Sequence, residues 1–174
     1  MKNNSTLLSG IIYVMLLVTV SVLINDIREF DFMQFKDFEN WSETAEKNTD
    51  WWRSENAIIW SNYVITLALF FWRGYLIYGF TYFISILKEI ENQNYFSEKN
   101  INYFKKIGSI FITYTINVCI LKLLMAFIGN TSFNFFYILK NELTFLIPCG
   151  LGFYLLSEIF KRAKELQEEN DLTV

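Results

Sequence analysis

The chain has 174 residues, enough for one domain, and its apolar fraction of 53% and aromatic fraction of 19% lie above the soluble norm. A net charge of −3 makes neither nucleic acid nor an acidic membrane surface an obvious partner, and the lack of any histidine excludes H-E-x-x-H metal sites, Ser-His relays and most zinc or haem ligation. The two cysteines, Cys119 and Cys149, sit in separate apolar runs without C-x-x-C spacing, so the sequence predicts no zinc or redox motif, no cofactor and buried free thiols.

Four stretches reach the roughly 20 apolar residues needed to cross a bilayer: about 6–25, 57–80 or beyond, 107–128 and 143–160. They are apolar all round, which soluble helices are not, so the predicted fold is all-α: a single transmembrane domain forming a four-helix bundle. The first stretch follows a short basic segment and lacks a small-x-small cleavage site, so it is expected to be a membrane helix and not a leader.

The first connector, 25–56, carries nine acids against four bases. Its Phe32, Phe35, Phe38 and Trp41 stand three apart, followed by Trp51 and Trp52, as in a segment lying along a membrane interface; a site for an external cation or peptide is the sharper alternative.

Within the second stretch, "ALFFWRGYLIYGF", Arg73 is the only charge between Glu55 and Lys88. It has three explanations: pairing between helices, lining a polar path, or snorkelling toward headgroups. A helix over 57–87 would be about 46 Å long, longer than a core of about 30 Å, so sliding that places Arg73 in the lower third as an anchor is favoured. Pairing with Glu158 is open only if the helix leaves the hydrocarbon near 78–82.

The second connector, 81–106, shows a helix start. Ser97 is a good N-cap, Glu98 suits the positive helix end, and Phe96 with Ile101 has hydrophobic-staple spacing. Two helices projecting together would form a small cytoplasmic hairpin.

In the third stretch Lys122 lies close enough to the outer end to snorkel. Asn62, Thr66, Thr113, Thr115 and Asn117 are candidates for helix–helix hydrogen bonds. Pro148 frees a carbonyl early in the fourth stretch and is expected to bend it, with Gly150 and Gly152 allowing close backbone approach.

The tail, 161–174, continues as a helix with Ile159, Phe160, Ala163 and Leu166 along one side and Gln167 at its margin. Glu158 has local partners at i+3 and i+4 in Lys161 and Arg162.

The terminal segments and the second connector carry eight Lys and Arg, the other side five, which places both termini in the cytoplasm. No aspartate lies in a predicted span, which argues against an aspartyl intramembrane protease. No catalytic, cofactor-binding or metal-binding residues are assigned, and an enzyme is not expected.

At "NYFSEKNINYFKKIG" and "GLGFYLLSEIFKRAKELQEENDLTV" the chain resembles the YoaS-like bacterial four-span integral membrane proteins, a domain of unknown function. The matching residues are Phe96, Ser97, Asn100, Ile107 and Gly108, then Leu172, Thr173 and Val174. The resemblance implies a bacterial plasma (inner) membrane protein whose relatives are often encoded beside a small helix-turn-helix regulator, with no established activity. It points to a regulatory platform binding such a cytosolic partner, with Phe96, Asn100, Glu165 and Leu172 as candidate contacts. The alternative is a small transporter or channel subunit using the intramembrane charges Arg73, Lys122 and Glu158.

Overall fold

The computed structural model describes residues 2–29, 55–128 and 135–172. They form four helices: α1 (Lys2–Glu29), α2 (Glu55–Glu91), α3 (Glu98–Ile128) and α4 (Phe135–Leu172). Four segments are long and apolar enough to cross a membrane: Thr6–Arg28, Trp60–Glu91, Glu98–Met125 and Thr144–Leu172. The architecture is therefore the all-α four-helix bundle of a multi-pass membrane protein. Most of the acidic connector, with its aromatic stripe, lies outside the described residues, as do Thr173 and Val174.

The helices run past the apolar stretches. α1 continues through Asn25, Asp26 and Arg28 to Glu29, so what reads as the start of a loop is helix. Asp26 thus falls inside a membrane-crossing segment, contrary to the expectation that no span holds an aspartate. The reason is simple: hydropathy falls at Asn25, but nothing there breaks backbone hydrogen bonding.

α3 is the central helix, packed against α2 on one side and α4 on the other, while α1 packs chiefly on α2. The core lies toward the α2–α3 turn. Ile86, Phe104, Ile107, Ile110 and Phe111 are buried there and surrounded by Leu76, Phe83, Phe153 and Phe160. Phe153 meets Phe83 at 5.2 Å and Phe111 at 5.7 Å, both edge to face, a geometry that satisfies the ring quadrupoles. In a bilayer such shape complementarity matters more than dehydration, because lipid tails are as apolar as the rings.

α3 and α4 pass backbone against backbone at Gly108 and Gly150. A β-carbon on Gly108 would lie 2.7 Å from the Gly150 carbonyl oxygen, and one on Gly150 would lie 2.8 Å from Ile112 Cγ1. Gly152 meets nothing within 4 Å, so the close approach expected of both glycines belongs to Gly150 alone. α4 runs as one helix through Pro148.

The faces of α4 also differ from the predicted tail. Phe160 turns inward onto Phe104 at 5.0 Å, whereas Ile159 and Leu166 are exposed. Residues 159 and 160 are about 100° apart on a helix, so the apolar residues cannot share one narrow side.

Candidate functional site

The α2–α3 turn, residues 92–97, is tightly specified. Asn94 N–H donates to the Glu89 carbonyl at 3.0 Å and Gln93 N–H to the Ile90 carbonyl at 3.0 Å. This paired closure is a Schellman motif, which needs a left-handed residue at its centre. Gln93 supplies it with φ 62°, where glycine would be the less strained residue.

On the other side of the turn, Ser97 caps α3: its Oγ accepts from the Asn100 N–H at 3.2 Å. Asn100 then reaches back. Its Nδ2 donates to the carbonyls of Asn94 and Tyr95, both at 3.0 Å, and the residue is fully buried. Asn100, a predicted partner contact, thus sits inside and holds the turn together.

α4 runs alongside and beyond this turn. Ser157 Oγ donates to the Ile101 carbonyl at 2.9 Å, and Phe96 meets Phe160 edge to face at 5.4 Å. Lys164 Nζ donates to Glu98 Oε1 at 2.9 Å and lies 3.4 Å from Glu168. Lys164 pairs with the first residue of α3, so the eight residues 165–172 form an overhang of about 12 Å past the start of α3 that runs beside the turn. The overhang carries Glu165, Glu168, Glu169 and Asp171 and no base.

Between turn and overhang lies a groove of about 320 Å³ lined by Gln93, Asn94, Tyr95, Phe96, Ser97, Lys164, Gln167, Glu168 and Asp171. Its walls offer amides, two carboxylates and two aromatic rings, and its lysine is already engaged by Glu98 and Glu168. Phe96 lines it. Glu165 and Leu172 stand exposed on the overhang outside the groove wall, Leu172 at 87%. Gln93 and Tyr95 carry no signal of this role in the sequence, and Gln167 reads there only as part of the tail's apolar side; their position depends on α4 lying beside the turn, which no local pattern encodes.

The intramembrane charges do not come together. Arg73 on α2 pairs with Asp26 on α1, through an Asp26 oxygen shielded from solvent. A carboxylate on the neighbouring helix meets the guanidinium, as the explanation by pairing between helices expects, and the partner is Asp26 where the sequence offered Glu158. Glu158 lies elsewhere. Ser157 is level with Ile101 and Gly79 with Ile110, so Glu158 and Arg73 are separated along the bundle by about 24 Å. Lys122 is half-buried on α3. Among the described residues no three His, Cys, Asp or Glu side chains gather as metal ligands would.

No curated protein and no solved structure matches the chain. Residues 47–174 match the family described as "Protein of unknown function (DUF2975)". The match takes in all of α2, α3 and α4, with the turn and the groove, and omits α1. The chain belongs to the DUF2975 family.

Proposed function

We propose that this protein is a membrane-embedded regulatory platform that holds a basic cytosolic partner, such as a small helix-turn-helix regulator, in the groove between the α2–α3 turn and the overhanging end of α4. The observation that carries this reading is the groove itself. Closing two helices needs the turn, but not a fourth helix that continues past the start of α3 and lines the turn with Gln167, Glu168 and Asp171. The lysine and arginine balance of the connectors supports a cytosolic location for this end of a bacterial plasma-membrane protein.

The chemistry favours a cationic partner. Glu168 and Asp171 line the groove, and Glu165 and Glu169 extend the acidic surface beyond it. Regulators that bind nucleic acid carry basic surfaces, so an acidic tip would compete for the same residues. Binding would need no catalytic residue and no cofactor. A transport reading has less support, because Arg73 is engaged by Asp26 and stands far from Glu158.

The test is affinity capture from native membranes in mild detergent. Wild type should retain a basic cytosolic protein in stoichiometric amount, released by high salt. The double variant Glu168→Lys/Asp171→Lys should lose it while Gly152→Ala, which meets nothing, keeps it. Retention of the same protein by the charge-reversed groove would refute the assignment.

A further inference from the structure

A second cluster lies on the α2–α3 surface, above the turn and away from the groove. Tyr78 and Tyr82 stand one helical turn apart on α2, with their hydroxyl oxygens 2.6 Å from each other. Their rings meet edge to face at 5.3 Å. Lys106 of α3 places its ammonium over the Tyr82 ring, 5.2 Å from the centroid, where the ring's negative face attracts it. Tyr78 and Lys106 are exposed, and Tyr82 is half-buried against α3, where it also meets Tyr103 at 5.5 Å.

The donor count is informative. Two phenols carry two O–H groups, and the contact between them uses one, whichever oxygen donates. One O–H remains for a further acceptor, and the ammonium over the Tyr82 ring has N–H donors of its own. The first carboxylate below Tyr82 on α2, Glu89, lies 3.6 Å from Lys99. The cluster therefore presents donors and positive charge.

Its depth matches a headgroup. From Ile107 to Leu121 α3 carries no charge, while Lys105 and Lys106 directly precede that run. Lys106 thus marks the polar edge of the third membrane segment, where phospholipid phosphates lie and where tyrosine is favoured. Basic side chains between helices at the membrane edge are suited to anionic headgroups, and Lys106 with the two tyrosines spans α2 and α3 there.

We propose that Tyr78, Tyr82 and Lys106 form a binding site for a phosphate group, with Lys106 and the free tyrosine hydroxyl donating to its oxygens. At this depth the source is the headgroup of an anionic phospholipid; a free phosphate would satisfy the same donors.

The test uses the full chain in detergent, with native mass spectrometry and thermal melting against phosphatidylglycerol, phosphatidylcholine and inorganic phosphate. Wild type should bind phosphatidylglycerol in preference to phosphatidylcholine. Tyr78→Phe and Lys106→Gln should each weaken it about tenfold, the size of one lost charge-assisted hydrogen bond, while Lys105→Gln leaves it unchanged. If inorganic phosphate binds equally well and is lost in the same two variants, the site stands with a soluble ligand. Equal binding of both lipids without phosphate binding, no binding at all, or equal weakening by Lys105→Gln would overturn it. Helical circular dichroism on each variant separates loss of the site from loss of the fold.

Discussion

Gly108 on α3 and Gly150 on α4 pass backbone against backbone, close enough that a β-carbon on Gly108 would sit 2.7 Å from the Gly150 carbonyl oxygen. Main chain cannot rotate aside as a side chain can. Gly108→Ala should therefore push α3 and α4 apart and cost about 1–3 kcal/mol, the usual penalty for overpacking. Gly152→Ala meets nothing and should be neutral or stabilising by up to about 1 kcal/mol, since alanine favours helix. Reversible unfolding of the two variants in the same detergent measures the difference.

Asn100 holds two otherwise unpaired turn carbonyls, those of Asn94 and Tyr95. Asn100→Ala should cost about 1–3 kcal/mol, as expected for buried acceptors left without a donor. Asn100→Asp should be worse, because an oxygen replaces the nitrogen facing two carbonyl oxygens. Limited proteolysis should show faster cutting within 92–97 in both variants. An uncut turn would mean the amide is not the latch.

Gln93 occupies a left-handed conformation that a β-carbon disfavours by about 1–2 kcal/mol. Gln93→Gly should raise stability by up to about 1 kcal/mol, part of the relief being offset by the greater freedom of glycine in the unfolded chain. The same change removes a groove-lining amide, so partner capture should fall while the melting temperature rises. A structural turn alone would not separate the two readouts.

The Asp26–Arg73 pair invites a double-mutant cycle. Each single alanine variant leaves the other charge without its partner beside apolar segments, which is unfavourable. The double alanine variant should be more stable than either single one, and the exchange Asp26→Arg/Arg73→Asp should recover much of the wild-type yield. Additive losses would show that the two side chains do not act together.

Much of the fold was legible because a bilayer demands long, uniformly apolar helices and because turn chemistry is local. Ser97 caps α3 through the bond its position implies. Contacts between helices were less legible. Asp26 reads as loop because hydropathy drops before it, although the helix continues, and so the sequence alone offers Arg73 no neighbouring acid on α1. Asn100 looked like a surface residue because it lies in a polar stretch; only the reversal of the chain at Gln93 buries it. Phe160 and Ile159 are adjacent in sequence yet face opposite environments, which depends on where α3 lies.

The most direct measurement is site-specific photocrosslinking in intact cells, with a photoreactive residue at Gln167 in the groove wall and, separately, at Leu155, exposed on α4 outside it. A basic cytosolic protein crosslinked at position 167, absent at 155 and lost in Glu168→Lys/Asp171→Lys, is the result expected of a docking groove. Crosslinking to such a protein at both positions, or at neither, would contradict it.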